Sequence, residues 1–366
     1  MFSAPVIWNR AILAPDELFA PPLVEDVRVP DLHSPHTMKP NLLCLSILAL
    51  AAAVPAGSSS ASDQTKHPAG LIELDRGWTN PHVQGVRVRL GWSDLQPKSA
   101  TEYDWSPIDS AIASAQQNHK LLGLSVAMLG RKEGGGKNAI PAWLKAKEYS
   151  LPATRSGNKR ALILPWDPEV QPALLAFVKA LCQHVDGKVD YLAMGGLGVV
   201  IESYICRDPA TIGLTMDEAV AKWTASCNAI IDAHAENLHS TPFIFTAGKP
   251  FGGREGMQAL QRVVSAAAKK YPSRFGIMNC TLSARSRAEF PPNKLVKEFH
   301  DTNPVGLQFL TGTKGFGNHD LGGTLAQALD AGTALGAHYI EIYARDADDP
   351  ANAATLTTYA ERLKAK

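Results

Sequence analysis

Short apolar segments alternate with longer amphipathic segments along most of this chain. Eight segments have the length and apolar character of strands, at residues 70–74, 86–92, 121–128, 189–194, 242–246, 275–281, 305–310 and 338–343. Between them, apolar residues recur at helical spacing at 108–118, 168–184, 216–236, 255–270, 288–299 and 324–335. An alternation of strand and helix repeated about eight times predicts a parallel sheet, and eight repeats close into a single (β/α)8 TIM barrel of the α/β class.

The first unit fits this pattern least well. Residues 70–74 are followed by Gly77 to Pro81, a stretch too short for an ordinary crossover helix. An open doubly wound sheet is the alternative fold. No Gly-x-Gly-x-x-Gly follows the early strands, however, as a dinucleotide-binding sheet of that kind would need.

Two of the predicted strands carry charged residues in alternation with apolar ones. Arg87 and Arg89 alternate with valines and a leucine in the second strand, and Glu341 and Tyr343 alternate with isoleucines in the last. The apolar faces suit the surrounding helices, so we expect these polar side chains inside the barrel. Glu341 then lies near the arginines, either as a functional group or as a neutralising ion pair.

A 13-residue apolar run at 42–54 follows Met38 and Lys39, and small residues follow the run. A positive charge, a short apolar core and small residues at the exit are the three parts of a secretory signal peptide, and the core is too short to span a bilayer. We predict a signal peptide at 38–61, cleaved after Ala56 or Ala61, and a secreted or periplasmic protein. Residues 1–37 are then a mis-called or disordered leader, and 62–366 form the barrel domain. A buried helix is the alternative for the apolar run.

Charge and cysteines restrict the partners and cofactors. Three of the 36 Lys and Arg residues and five of the 35 Asp and Glu residues lie within 1–61, so the remaining chain has a net charge of +3. So weak a charge argues against a nucleic-acid or membrane surface, and no metal-binding, nucleotide-binding or nucleophile-elbow motif is present, so we expect no cofactor. Oligomeric state and disulfide pairing stay open. Buried free thiols are favoured for the four remaining cysteines, Cys182, Cys206, Cys227 and Cys280.

Motifs around the second and third strands suggest a family. The chain reads W-x-x-L-x-P at 92–97, Y-D-W-S at 103–106 and P-x-W-L at 141–144. Over residues 85–144 it resembles the catalytic barrels of clan A glycoside hydrolases, most of all the family 42 β-galactosidase type, and beyond 144 only the order of elements is similar. The resemblance implies hydrolysis of O-glycosidic bonds, with one glutamate after strand 4 and another after strand 7.

The candidate catalytic residues depart from that pattern. Glu202 follows strand 4 on a glycine-rich loop, strand 7 offers Gln308 and no carboxylate, and Glu341 lies on strand 8. Glycoside cleavage needs one protonated and one ionised carboxyl, so we predict Glu202 as general acid and Glu341 as the second carboxylate or holder of water. The alternatives are a solvated loop glutamate or helix cap for Glu202, and a structural partner of an arginine for Glu341.

A sugar site also needs flat apolar faces and hydrogen-bonding side chains. The residues that we predict to bind substrate are Arg87, Arg89, Trp92, Trp143, Asn279, Gln308 and Tyr343. Ordinary packing is the alternative for the two tryptophans, and a satisfied strand end for Asn279 and Gln308.

We therefore predict an exported glycoside hydrolase that acts on an oligo- or polysaccharide. It would have no nucleic-acid partner and no membrane contact after signal cleavage. One alternative is a carbohydrate-binding barrel that has lost its strand-7 nucleophile and its activity. Another is a barrel enzyme with different chemistry, because a fold does not fix a function.

Overall fold

A computed structural model describes residues 67–130, 139–151, 160–199, 201–315 and 320–364. The predicted leader (1–37) and signal peptide (38–61) lie outside these residues. The described strands are β1 (Gly70–Leu74), β2 (Gly85–Gly91), β3 (Leu121–Ala127), β4 (Tyr149–Leu151), β5 (Arg160–Leu162), β6 (Tyr191–Ala193), β7 (Phe243–Thr246), β8 (Phe275–Leu282), β9 (Val305–Phe309) and β10 (Tyr339–Ile342). The described helices are α1 (Trp92–Leu95), α2 (Ser106–Asn118), α3 (Val170–Val185), α4 (Met216–Asn237), α5 (Gly253–Lys270), α6 (Pro291–Phe299), α7 (Leu325–Ala334), α8 (Ala344–Ala347) and α9 (Ala353–Lys364).

Eight parallel strands close into a barrel in the order β1, β2, β3, β6, β7, β8, β9, β10, and β10 pairs with β1. The structure confirms the predicted TIM barrel. The remaining strands, β4 and β5, form a small antiparallel pair between β3 and α3 that the sequence pattern did not predict. In the described part of the chain, no helix has both the length and the apolar character to cross a membrane.

Side-chain caps fix where two of the outer helices begin. Thr215 Oγ1 accepts a hydrogen bond from the Glu218 amide (3.3 Å), and Glu218 Oε2 accepts one from the Thr215 amide (2.9 Å). Thr324 and Gln327 make the same reciprocal pair at the start of α7. Such boxes satisfy amides that the first helical turn leaves without partners.

The connection from β1 to β2 contains no helix, and the last helix takes its place. Helix α9 packs against the outer side of β1, with Leu356 and Leu363 fully buried. Lys120 holds the connection itself, because its ammonium donates to the carbonyl oxygens of Asn80 (2.6 Å) and Val83 (2.5 Å).

The buried apolar residues form two clusters, one inside the barrel and one between the strands and the surrounding helices. The larger, outer cluster joins strands to helices and includes Ile340 and Ile342. The inner cluster consists of Ile72, Ala127, Ala139, Tyr191, Ala193, Ile201, Ile244, Met278 and Tyr339. Two glycines make room for its tyrosine rings: an added Cβ would lie 2.2 Å from Tyr191 Cζ at Gly123 and 2.1 Å from Tyr339 Cζ at Gly306.

The four cysteines are free thiols in the structure. Cys182, Cys206 and Cys227 are buried, and burial raises the pKa of the Cys227 thiol well above its usual value. Cys280 is half-buried on β8. The chemistry that the barrel interior offers is therefore carried mainly by its polar residues.

Candidate functional site

A network of polar side chains crosses the inside of the barrel. Tyr191 on β6 donates its hydroxyl to Glu341 Oε1 on β10 (2.7 Å), and these two strands lie opposite each other in the barrel. Arg87 Nε on β2 lies 3.2 Å from Glu341 Oε2. Arg87 and Glu341 are thus inside the barrel, the side that the alternation pattern predicts.

The network continues toward β9. Arg87 Nη2 donates to Gln308 Oε1 (2.8 Å), and Gln308 Nε2 donates to the hydroxyl of Tyr343 (3.4 Å). Cys280 Sγ lies 3.5 Å from the same Gln308 oxygen. Gln308 and Tyr343 are buried, with 7% and 5% of their surface exposed.

The burial of this network corrects part of the predicted site. Arg87 and Glu341 have no exposed surface, so in this structure neither can touch a sugar or a reacting atom. Glu341 instead balances the charge of Arg87, which is the alternative left open by the sequence. Burial and the charge of Glu341 raise the pKa of Tyr191 well above its usual value, so the hydroxyl stays protonated and donates a hydrogen bond to the carboxylate.

Glu202 lies on a loop that folds back over the barrel. The Val199 amide donates to the Tyr204 carbonyl (2.8 Å) and closes a tight turn. Within that turn Ile201 is 2% exposed and belongs to the inner cluster, and the next residue, Glu202, is half-buried. Because the turn follows the carboxyl end of β6, it brings Glu202 to the end of the barrel where βα-loops form sites.

The turn is fastened to the loop after β7 by a ladder of hydrogen bonds. The hydroxyl of Ser203 bonds to both the amide (2.8 Å) and the carbonyl of Gly248. The amides of Ile205 and Cys206 donate to the Pro250 carbonyl (2.9 and 3.1 Å), and the Gly252 amide donates to the Arg207 carbonyl (2.7 Å). We call residues 201–207 and 246–252 the paired loops. These bonds hold Glu202 in place without help from a ligand.

Neither tryptophan is placed as an open platform for a sugar. Trp92 has no exposed surface; it stacks on Phe177 of α3 (5.2 Å between centroids) and donates Nε1 to Gln96. The prediction that Trp92 binds substrate is wrong, because α1 turns its ring into the outer cluster. Trp143 is half-buried, packs edge-on against Trp92 and donates Nε1 to the Gln96 carbonyl (2.8 Å).

Asn279 also points away from the interior. Its amide donates to Asn293 Oδ1 on α6 (2.6 Å), and its oxygen accepts from Thr281 (3.0 Å). With 1% of its surface exposed and both ends of its amide engaged, Asn279 ties β8 to α6. This corrects the prediction of a hydroxyl-binding side chain and matches the alternative of a satisfied strand end.

Arg89 is held at the strand-end rim by a carboxylate that the sequence reasoning missed. Arg89 Nε donates to Asp75 Oδ1 (2.8 Å), and a second bond joins their other atoms. Asp75 directly follows β1, its side chain is 46% exposed, and its φ is +71°, which a non-glycine residue seldom adopts. Its position just after a barrel strand was the available sequence signal.

A second missed carboxylate, Glu73, is buried on the helix side of β1. Asn80 Nδ2 donates to Glu73 Oε2 (3.3 Å), and Arg76 Nε lies 3.8 Å from Oε1. Burial, and then the charge of Asp348, raise the pKa of Glu73 to about 7. A cavity of about 520 Å³ lies beside this group, between the β1–β2 connection and the start of α9.

The described residues contain no cluster of three His, Cys, Asp or Glu side chains that could hold a metal ion. Glu202 and Asp75 are carboxylates on loops that follow barrel strands and are partly open to solvent, so this arrangement can support proton transfer there.

Comparison with known proteins identifies the fold. No protein-family model matches the sequence, and no curated protein matches it. Among solved structures, the catalytic domain of a beta-amylase from Paenibacillus polymyxa superposes with a TM-score of 0.55 at 11% identity, covering 81% of this chain and 98% of that one.

Xylanase structures are also similar. Xylanase B from Clostridium stercorarium F9 has a TM-score of 0.44 at 10% identity, covering 75% of this chain and 85% of its own. Xylanase A from P. fluorescens subsp. cellulosa, a variant in complex with xylopentaose, has a TM-score of 0.46 at 9% identity, covering 80% and 90%. Family 42 is not shown by these structures. The likeness to the beta-amylase shows that this chain has the (β/α)8 barrel fold.

Proposed function

We propose that this protein is an exported glycoside hydrolase in which Glu202 is the general acid. The observation that supports the proposal is the loop after β6, in which Ile201 belongs to the inner cluster and the next residue, Glu202, is half-buried. The motifs at 85–144 that resemble family 42 support a sugar substrate, and the segment 38–61 supports export.

Asp75 is the second carboxylate in this proposal. Asp75 is partly exposed beside Arg89, whereas Glu341 is occupied by Arg87 and Tyr191. Asp75 forms an ion pair with Arg89, and a carboxylate is the group that attacks the sugar or activates water. A half-buried Glu202 supplies the proton to the leaving oxygen.

A carbohydrate-binding barrel without activity is the second candidate. It is favoured by Gln308, which occupies the end of the seventh barrel strand where the resembling family has a glutamate, and by the structural engagement of Glu341. In that case the rim still binds sugars, but no bond is cleaved.

Hydrolysis of a panel of aryl glycosides and polysaccharides separates the two candidates. We expect activity, and a fall in kcat of at least about 100-fold for Glu202→Gln, the range for loss of a general acid. The loss should be smaller for 4-nitrophenyl glycosides, whose leaving group needs no protonation, than for alkyl glycosides. Glu289→Gln is the matched control, because Glu289 is exposed on the β8–α6 loop at the same end of the barrel.

Two results would count against glycosidase chemistry at Glu202. One is saturable sugar binding with no hydrolysis of any panel member, which favours the binding barrel. The other is full activity in the Glu202→Gln variant.

A further inference from the structure

The two paired loops each carry one positively charged side chain. Arg207 follows the turn that carries Glu202, and Lys249 follows Gly248 on the other loop. Arg207 is exposed and Lys249 is half-buried. Burial of the Lys249 ammonium, together with the nearby charge of Arg207, lowers its pKa.

Within the part of the chain that the structure describes, no carboxylate lies within ion-pair distance of either cation. Neither Arg207 nor Lys249 forms an ion pair or a side-chain hydrogen bond there. The neighbouring acids are used elsewhere: Asp208 Oδ1 accepts from the Ala210 amide (3.0 Å), and the Glu255 carboxylate lies over Gly253 at the start of its own helix.

The backbone holds the two cations together against their repulsion. The Gly252 amide donates to the Arg207 carbonyl, and an added Cβ on Gly252 would lie 3.2 Å from Arg207 Cγ, so the aliphatic stem of Arg207 packs on that glycine. Pro250, next to Lys249, accepts two amides from the opposite loop. The pair is therefore organised before any ligand arrives, which lowers the entropy cost of binding.

Glu202 belongs to the same platform. An added Cβ on Gly248 would lie 3.5 Å from Glu202 Cβ, and Lys249 is the next residue in the chain. Glu202 and both cations are therefore carried by the same pair of hydrogen-bonded loops.

We propose that Arg207 and Lys249 bind an anionic substituent of the sugar chain, a carboxylate or a sulfate ester, so that the substrate is an acidic oligo- or polysaccharide. This inference rests on the proposed function for the identity of the ligand as a sugar. An anion between the two cations removes their mutual repulsion and accepts charge-assisted hydrogen bonds from the guanidinium and the ammonium, which are about twice as strong as neutral ones.

Calorimetric binding to three oligosaccharides of equal length tests the proposal. The full chain with Glu202→Gln is titrated with an oligogalacturonate (carboxylates), a carrageenan oligosaccharide (sulfate esters) and a neutral oligogalactan. We expect at least one acidic ligand to bind about 10-fold more tightly than the neutral one, the equivalent of one well-placed charged contact. The two acidic ligands distinguish the carboxylate from the sulfate.

Removing either cation should weaken the binding of the acidic ligand only. Arg207→Gln and Lys249→Gln should each lower its affinity about 10-fold and leave the neutral ligand unchanged. Lys269→Gln is the matched control, because Lys269 is exposed at the far end of α5. Thermal unfolding of each variant confirms that it is folded.

The proposal is overturned if the neutral ligand binds as tightly as both acidic ones. It is also overturned if the double variant Arg207→Gln/Lys249→Gln keeps its affinity for the acidic ligands. Glu202-dependent cleavage of neutral glycans, unaffected by the two substitutions, would reject this inference and keep the proposed function. Acidic ligands that bind through both cations but are never cleaved would keep the inference and reject the proposed function.

Discussion

Arg87 and Glu341 form an ion pair across β1, a strand that carries neither of them. Arg87 is on β2 and Glu341 on β10, β1 lies between them, and Arg87 Nε is still 3.2 Å from Glu341 Oε2. Both side chains are fully buried. The pair therefore joins the two strands that flank β1 on the inside of the barrel, and each charge depends on the other for its compensation.

Loss of the carboxylate should be strongly destabilising. We expect Glu341→Gln to lower the free energy of unfolding by about 3–5 kcal/mol, because it leaves a buried guanidinium without its counter-charge. The double variant Arg87→Met/Glu341→Leu should lose less than the single variant, since it buries no charge. Urea titration measures both. Glu361→Gln, at an exposed position of α9, is the control and should change stability by less than about 0.5 kcal/mol.

A cost below 1 kcal/mol for Glu341→Gln would mean that solvent reaches Arg87 in solution. A large loss of turnover in the folded Glu341→Gln variant would indicate that Glu341 is a catalytic carboxylate and would contradict the role proposed for Asp75.

Glu73 should make stability fall as the pH rises. Its pKa is about 7 in the folded protein against an ordinary value of 4.5, so between these values the folded state holds a proton that the unfolded state has released. Unfolding then releases a proton, and the free energy of unfolding should fall by about 2–3 kcal/mol from pH 4.5 to pH 7 through this group. The groups that face it are Asp348, which raises the pKa, and Asn80, Arg76 and Lys120, which lower it.

Urea titrations of wild type and Glu73→Gln between pH 4 and pH 8.5 measure this contribution. The variant should follow the wild type at pH 4 and be the more stable protein at pH 8. Parallel curves across the whole range would show that Glu73 titrates normally.

Ser203 should control the position of Glu202. Its hydroxyl bonds to both backbone groups of Gly248, so Ser203→Ala leaves two buried partners unmatched and should cost about 1–3 kcal/mol. The paired loops then loosen at the residue next to Glu202, and kcat should fall by more than the folded fraction does. Ser226→Ala is the matched control: Ser226 is equally buried in α4, and its hydroxyl has no hydrogen-bond partner among the described residues.

Trp92 should contribute to stability and not to substrate affinity. Its ring is fully buried against Phe177 and Trp143, so Trp92→Ala should cost about 3–5 kcal/mol. The milder Trp92→Phe keeps the stacking and loses the bond to Gln96, and its KM should equal that of the wild type. A raised KM with unchanged stability would indicate that a sugar stacks on Trp92.

The order of elements could be predicted from the sequence because each strand is a compact apolar segment between helical patterns. Inward and outward faces could be assigned in β2 and β10, where charged residues alternate with apolar ones. The same assignment failed in β8, because Ile277 and Met278 are both apolar and face opposite sides. A strand buried on both faces shows no alternation of apolar and polar residues in its sequence, so the direction of the Asn279 side chain could not be determined.

The site was only partly predictable for a related reason. Sequence gives the end of a strand but not the path of the loop that follows it. Trp92 enters a short helix that turns it outward, whereas Ile201 returns to the interior and brings Glu202 with it. Asp75 was missed because its role depends on a φ of +71° and on Arg89 from the next strand.

The placement of α9 over β1 joins the two ends of the described chain into one structural unit. Helix α9 covers the outer face of β1, so this face stays exposed until residues 353–364 are available. During synthesis the amino-terminal strands emerge first and lack this cover, so the barrel can be completed only once residues 353–364 have emerged. A truncation before Ala353 should therefore unfold the start of the barrel as well as its end.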